Sequence, residues 1–305
     1  MPIDRLLEPA GEVGLYPQVM NAAVTIFPSH VRKARDLTFV AVRQRISDRL
    51  HAKAAAVRVQ LERRLDRILQ AWLLLAGLAC AANIATSKSY GPFGAESLLP
   101  YLLLILAPFA SIVVALRWFA DGDNQSQPRI RLSRVGRWKS LSNAEAAAHP
   151  LYGAGGIMVS LAVGMLINIP FRALEYLGSM PALTGEVPAW LTVLHGLMTF
   201  DVVLMSSLYA IAFVAAIRHV PLFPRLLVMI WGFDLLMQVA TAQIVAGTPG
   251  LPSDVATALQ SVLEGNVKKV LISIGLWLPY LLLSKRVNVT YRRRIRHETD
   301  SARFG

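Results

Sequence analysis

Six long apolar segments constrain this chain more than any other feature of its sequence. They cover about residues 68–86, 97–116, 152–176, 190–217, 226–246 and 267–283. Each is close to the 20 or so apolar residues that a helix needs to cross a hydrocarbon core about 30 Å thick. The sixth is the shortest, and we expect Lys268 and Lys269 at its outer end to extend to the headgroups. The sequence therefore predicts an all-α polytopic membrane protein with six transmembrane helices.

The basic residues provide an independent test of this topology, because positively charged segments are retained in the cytoplasm. Of the 31 Lys and Arg residues, 27 lie in four segments that six helices place on one side, residues 1–67, 117–149, 218–225 and 285–305. This pattern predicts cytoplasmic N- and C-termini and a multi-pass protein of the bacterial inner membrane. The net charge of +12 thus reflects topology, and we expect no nucleic-acid partner.

A long amphipathic cytoplasmic helix is predicted ahead of the first span. Residues 32–67 contain no Gly or Pro, and apolar side chains recur there at every third or fourth position. This period predicts one helix over about residues 29–67, after an irregular leader in residues 1–28. The helix either lies on the anionic inner leaflet or on the protein's own cytoplasmic surface, or it forms a coiled coil with a partner protein or a second copy.

Composition divides the chain into five segments. These are a leader and helical arm (1–67), a two-helix membrane hairpin (68–120), a basic linker (121–149), a four-helix membrane domain (150–291) and a basic tail (292–305). The linker carries a regular series of basic residues, namely Arg129, Arg131, Arg134, Arg137 and Lys139. These side chains either contact lipid phosphates or remain solvated in a plain linker.

Three local motifs lie in the four-helix domain. Gly155-Gly156 opens the third span, Phe223-Pro224 precedes the fifth, and the sixth ends in Trp-x-Pro-Tyr followed by Ser-Lys-Arg-Val. The last motif comprises Trp277, Pro279, Tyr280, Ser284, Lys285 and Arg286. With these motifs, about residues 148–291 resemble a family of bacterial inner-membrane proteins named domain of unknown function 2569. The resemblance implies four membrane helices and an inner-membrane location, and it implies no activity.

The last motif also has a physical interpretation. Pro279 removes a backbone donor within a span and favours a kink. Trp277 and Tyr280 lie within about one helical turn of it and suit packing against neighbouring helices. Lys285 and Arg286 suit the inner headgroup layer. We therefore expect a kinked last helix that is anchored at its inner end.

Two acidic residues inside predicted spans are the main candidates for a functional site. A charge in a span is costly, so Asp201 and Asp234 require an explanation. Counted from the outer ends of the fourth and fifth spans, both lie at a depth of about 17 Å. Neighbouring antiparallel helices allow the two carboxylates to face each other and share a proton. The other polar residues of this candidate intramembrane site are His195, Asn168 and Gln238.

This polar set has two interpretations. It is either an interhelical lock, in which hydrogen bonds hold the bundle together, or a path for protons or cations. Arg172 and Glu175 are three residues apart at the outer end of the third span, so we expect a local ion pair between them. The scattered histidines predict no metal site, since no pair has ligand spacing on a span.

Ordinary catalysis has no support in the sequence. It lacks a phosphate-binding glycine loop and a nucleophile elbow, and Cys80 lies within the first span. We expect no cofactor and no enzyme activity.

The sequence favours a non-catalytic accessory or scaffold subunit of a membrane complex, whose partners are the lipid bilayer and a protein bound through residues 29–67. The alternative is a small proton- or ion-coupled transporter or channel that uses Asp201 and Asp234. A membrane-embedded enzyme that acts on lipids is a third hypothesis, without a nucleophile or metal set to support it.

Overall fold

The computed structural model describes residues 64–87, 94–129, 132 and 136–297. The predicted amphipathic helix over residues 29–67 lies outside this range except for its last four residues. The leader (1–28) and the end of the basic tail lie outside it as well. The described chain is mostly helical, as the sequence predicts.

Six of the described helices are long and apolar enough to cross a membrane, which confirms the predicted all-α architecture. They are α1 (Leu65–Thr86), α2 (Ala95–Trp118), α4 (Ile157–Ser179), α5 (Ala189–Ile217), α6 (Phe223–Ala246) and α7 (Ser253–Leu283). Two short helices, α3 (Asn143–Ala148) and α8 (Lys285–Arg292), a 3₁₀ turn (Gly122–Asn124) and two short strands, β1 (Trp138–Ser140) and β2 (Arg294–Arg296), complete the regular elements of the described residues.

The sixth long helix begins 14 residues before the start predicted from hydropathy, at Ser253 rather than at 267. Lys268 and Lys269 therefore lie in the middle of α7 and not at its outer end. The added part of the helix is amphipathic, and its Leu259 and Leu263 are buried in an apolar cluster. Packing of this face against neighbouring helices explains why the helix continues past a charged pair that ends the hydropathic segment.

Helix α5 occupies the centre of the bundle and packs against α2, α4 and α6. About 61% of its most apolar 18-residue stretch is buried. In α1 the corresponding share is only about 17%. Several alanines in its last three turns have no exposed surface, namely Ala210, Ala212, Ala215 and Ala216. Such small side chains allow helix backbones to approach closely, which is the main source of packing energy between helices in lipid.

The basic segments of the described chain meet at one end of the bundle. We call residues 119–129, 132, 136–156, 218–222 and 284–297 the basic end. There β1 pairs antiparallel with β2, with Trp138 opposite Arg296. The hydroxyl of Tyr291 donates to the carbonyl of Ala216 at 2.8 Å, which ties α8 to the end of α5. Contact among these segments agrees with their predicted position on one side of the membrane.

A histidine–aspartate pair joins three loops of the basic end. Nδ1 of His219 lies 2.9 Å from Oδ1 of Asp123, and Nε2 of His219 accepts a hydrogen bond from the backbone N–H of Ala154 at 3.2 Å. The hydroxyl of Tyr152 donates to the same carboxylate at 2.8 Å. Because Nε2 accepts, the imidazole proton lies on Nδ1. The hydrogen bond from His219 holds the pKa of Asp123 below its usual range, with smaller contributions from Tyr152 and from nearby positive charge.

Candidate functional site

An arginine on α4 joins the two intramembrane acids. Nη1 of Arg172 donates to Oδ2 of Asp201 at 3.2 Å, and Nη2 donates to Oδ2 of Asp234. The Asp234 side chain has no exposed surface, and the side chains of Arg172 and Asp201 are each 13% exposed. We call these three residues the acid–arginine cluster. It links α4, α5 and α6 through buried ion pairs.

The ion pair predicted between Arg172 and Glu175 is wrong. Arg172 pairs with the two aspartates, and Glu175 pairs with Lys269 of α7. Side chains on a helix lean toward its N-terminus, so Arg172 reaches back from the outer part of α4 toward the middle of the bundle. Two buried carboxylates need a positive partner far more than an exposed glutamate does, and this difference decides which pair forms.

Asp234 has a full set of partners. Besides Arg172, it accepts hydrogen bonds from the hydroxyl of Tyr209 and from Nε2 of Gln238, each at 3.3 Å. Asn266 of α7 donates to Oε1 of Gln238 at 3.5 Å, which extends the network to a fourth helix. The guanidinium of Arg172 also lies 5.7 Å from the centre of the Tyr209 ring. Both oxygens of the Asp234 carboxylate thus have hydrogen-bond donors.

Asp201 is less well satisfied. Its Oδ2 bonds Arg172, while its Oδ1 is buried and has no hydrogen-bond partner among the described residues. With all three groups ionised, the acid–arginine cluster has two negative charges and one positive charge. The adjoining Glu175–Lys269 pair is neutral as a whole and does not remove this excess. One negative charge is therefore uncompensated in a largely apolar surrounding.

Two cavities meet at the cluster. The first has a volume of about 420 Å³, and its walls include Asn168, Asp234 and Trp277. The second has a volume of about 360 Å³ and includes Asp201. Both are lined by Arg172, Glu175, Asn266 and Lys269. Arg172 thus lies on the wall of both cavities, with one aspartate facing each.

The predicted polar residues do not form one continuous set. Gln238 bonds Asp234 and belongs to the network of the cluster, and Asn168 lines the first cavity. His195 lies apart from it, with Nε2 at 3.1 Å from the hydroxyl of Tyr176. The same hydroxyl lies 2.7 Å from Oγ1 of Thr199, so these three residues form a separate buried group.

Sequence reasoning missed Tyr209 and Asn266 as members of the network. Tyr209 lies eight residues after Asp201, a spacing that places both on one face of α5. That spacing is a usable signal for Tyr209. Asn266 offers no comparable signal, because its contact depends on how α7 packs against α6.

The motif at the end of the sixth span has two parts. Its first three residues lie in α7, and its last three lie in the basic end. Trp277 and Tyr280 make an edge-to-face contact with ring centres 6.1 Å apart, and Pro279 lies inside α7. Ser284 caps α8 by accepting a hydrogen bond from the backbone N–H of Val287 at 3.5 Å. Only Trp277 of these residues reaches the first cavity.

The two basic residues of the motif have different environments. Arg286 donates to the carbonyls of Leu151 and Gly153, at 3.2 and 3.4 Å, and so joins α8 to the loop before α4. Lys285 is exposed and lines a third cavity at the basic end. Neither residue contacts the acid–arginine cluster, so the motif and the cluster are distinct features.

Comparisons of the chain with protein families, with curated proteins and with solved structures found no match. Within residues 64–87, 94–129, 132 and 136–297, no group of three or more His, Cys, Asp and Glu side chains is arranged to hold a metal ion. The site contains carboxylates, a guanidinium and a phenol in contact, which is a set suited to holding a proton or a small cation.

Proposed function

We propose that this chain is a multi-pass protein of the bacterial inner membrane whose acid–arginine cluster binds and releases a proton or a small cation during transport. The observation that supports this is a buried set of two carboxylates and one guanidinium, those of Asp201, Asp234 and Arg172, within the membrane-spanning helices. Ionisable groups at such depth are costly and are retained chiefly for ion pathways, proton relays and substrate sites.

Asp201 is the residue we expect to take up the proton or cation. Its Oδ1 is buried and has no partner among the described atoms, whereas Asp234 accepts from Arg172, Tyr209 and Gln238. A proton on Asp201 neutralises the excess charge and weakens its pair with Arg172. Because this pair joins α4 to α5, loading Asp201 alters the contact between two helices that border both cavities.

The test is proton flux through the purified full-length protein in proteoliposomes. A pH-sensitive dye inside the vesicles reports proton entry after valinomycin and a potassium gradient impose a membrane potential. We expect flux above that of empty liposomes for the natural sequence and its loss for Asp201→Asn. Asp254→Asn is the matched control, because it makes the same chemical change at an exposed position in the first turn of α7.

Two results count against transport. Natural-sequence flux equal to that of empty liposomes contradicts it directly. Unchanged flux in Asp201→Asn, with the variant correctly folded by circular dichroism and gel filtration, removes the acid–arginine cluster from the mechanism. The same assay is then repeated with a Na⁺ or K⁺ gradient and a dye that reports that cation. The comparison shows whether the site carries protons or small cations.

A second proposed function, an accessory or scaffold subunit of a membrane complex, is favoured by the folded basic end. The paired strands β1 and β2 expose Lys139, Ser140 and Arg296, a surface available to a partner protein. Crosslinking and affinity capture of the full chain from native membranes tests this function. A defined stoichiometric partner, lost on deletion of residues 29–63, supports it, and a chain that always migrates alone contradicts it.

The relation to domain of unknown function 2569 also stays a proposal, supported by the motif residues between Trp277 and Arg286. It concerns the four-helix domain over residues 150–291 and adds no activity to either function.

A further inference from the structure

A cavity of about 920 Å³ opens at the basic end, well away from the acid–arginine cluster. Strands β1 and β2 form one wall, and the end of α7 with the start of α8 forms another. Its basic lining residues are Lys139, His149, Lys285, Arg294, Arg296 and His297. No carboxylate is among the described residues that line it. A concave surface with cations on several sides is suited to an anion.

A carboxylate of the described residues that interacts with Lys139 is already engaged. Glu145 feels the charge of Lys139, but its Oε2 accepts from the backbone N–H of Ser142 at 2.7 Å and from the Ser142 hydroxyl at 2.8 Å. These bonds form the capping box of α3, so the carboxylate is held at a helix N-terminus and does not line the cavity. Glu145 therefore offsets part of the charge of Lys139 from outside the cavity, and the other basic lining residues remain.

A second layer of positive charge lies behind the wall. Arg292 is 3% exposed, and burial together with the charges of Arg294 and Arg225 lowers its pKa to about 10. Nη2 of Arg225 is buried without a hydrogen-bond partner in the described part of the chain. Arg292 itself bonds the side chain of Asn288 and the carbonyl of Leu281, which are neutral acceptors. Three neighbouring guanidiniums thus raise the potential at the cavity wall.

The cavity also borders the lipid-facing surface. Leu283, the last residue of α7, lines it and is 76% exposed. Below it the same helix exposes Ile272 and Leu276, at 70% and 63%. An anion in the cavity that carries an acyl chain can lay that chain along this apolar face. Basic pockets at the ends of membrane helices bind lipid headgroups in this way.

We propose that this cationic cavity binds the phosphate group of an anionic membrane lipid. Lys139, Lys285 and Arg296 contact the phosphate at the mouth of the cavity, and Arg294 stiffens the wall through its contact with the Trp138 ring, whose centre lies 4.2 Å from the guanidinium carbon. The site is independent of ion transport at Asp201.

Lipid titration of the purified full chain tests this proposal. The protein is held in dodecyl maltoside micelles, and its melting temperature is followed as phosphatidylglycerol or phosphatidylcholine is added at equal mole fraction. A third titration adds inorganic phosphate alone. We expect phosphatidylglycerol to raise the melting temperature in a saturable way, because a ligand that binds only the folded state stabilises it, and we expect the other two to have little effect.

Neutral substitutions at the mouth identify the site. Lys139→Gln, Lys285→Gln and Arg296→Gln change exposed side chains, so the fold is retained. Each is expected to weaken phosphatidylglycerol binding roughly fivefold, and the triple variant to abolish the saturable shift. Arg218→Gln is the matched control, because this exposed residue at the same end does not line the cavity.

Three outcomes overturn the proposal. No shift with phosphatidylglycerol removes the lipid site. An equal loss in Arg218→Gln and in the triple variant shows general surface attraction and no defined cavity site. A saturable shift with inorganic phosphate at the same concentration assigns the cavity to a soluble phosphate and contradicts the assignment to a lipid.

Discussion

In the acid–arginine cluster the charged side chains form ion pairs with one another. At the basic end several arginines instead donate hydrogen bonds to backbone carbonyls. Arg172 bonds two carboxylates. Arg292 instead donates to the carbonyls of Leu281 and Leu282 at the C-terminus of α7. Those carbonyls lie in the last turn of the helix, where they accept no hydrogen bond from the helix itself. They also form the negative end of the helix dipole.

The difference shows how the environment determines what a charge needs. Inside the membrane-spanning helices no free helix end is at hand and a buried ion is costly, so an opposite charge stabilises it. At the basic end the dipole of a helix terminus, solvent and headgroups share that role. Removal of the single cation of the cluster should therefore cost much more than removal of a charged side chain from the exterior.

The largest effect is expected from Arg172→Met. It leaves Asp201 and Asp234 buried without their cation, which should lower the free energy of unfolding by about 3–5 kcal/mol. Reversible unfolding in mixed micelles with increasing sodium dodecyl sulfate measures it. Lys269→Met is the control, because it breaks a pair whose side chains are about half exposed or more and should cost at most about 1 kcal/mol. Equal losses in the two variants contradict the comparison.

The two aspartates should differ from each other. Either substitution to Asn leaves Arg172 with one carboxylate and thus balances the charge of the cluster. Asp234→Asn also weakens bonds to Tyr209 and Gln238, so we expect a loss of about 2 kcal/mol. Asp201→Asn weakens one bond and should change the stability by less than about 1 kcal/mol. The same unfolding assay ranks them, and the reverse order refutes the assignment of Asp201 as the less satisfied acid.

A steric substitution probes the basic end without changing any charge. A Cβ added at Gly122 would lie 2.2 Å from the carbonyl oxygen of Arg218, closer than atoms can approach. Gly122→Ala should therefore lower stability by about 1–3 kcal/mol as the loop shifts. Gly232→Ala in α6 is the matched control, since nothing lies within 4 Å of the added Cβ. Equal melting temperatures for the two variants argue against close contact of these loops.

The smallest effect concerns pH at the basic end. The hydrogen bond from His219 lowers the pKa of Asp123, so its stabilising contribution is complete above the ordinary pKa of about 3.9 and is lost as the pH falls through the lower folded value. Asp123→Asn should therefore flatten the decline of melting temperature below about pH 4. Asp121→Asn changes the same charge in the same loop and should leave the decline unaltered. A decline that is as steep in Asp123→Asn as in the natural sequence excludes this carboxylate as its source.

Much of the helical architecture was predictable from residues alone. Six apolar segments give six long helices, because apolar length is what a membrane requires. The start of α7 at Ser253 was not predicted, because its outer part is amphipathic and gains its stability from packing. The short strands β1 and β2 were not predicted either, since three-residue segments carry little periodic signal.

The role of Asp201 and Asp234 as site residues stays a prediction, and the sequence did not indicate that both would contact Arg172. Asp201 and Asp234 stand out in any apolar segment, but Arg172 was assigned to the outer end of its helix. Helix α5 is apolar on all sides, so its sequence does not show which face meets which neighbour. The partners of Asp201 are therefore hidden in the sequence, and only the rotation and packing of α4, α5 and α6 reveal them.

The sequence by itself determined that this protein has six membrane helices and that its Lys and Arg residues concentrate in the segments between those helices that are predicted to share one side of the membrane. Both properties follow from transfer between water and lipid, which depends on the composition of each segment. The tertiary structure decided that two acids share one arginine and that basic side chains from β1, β2 and α8 surround a cavity. Those contacts depend on distance and direction between side chains far apart in the chain, which composition does not encode.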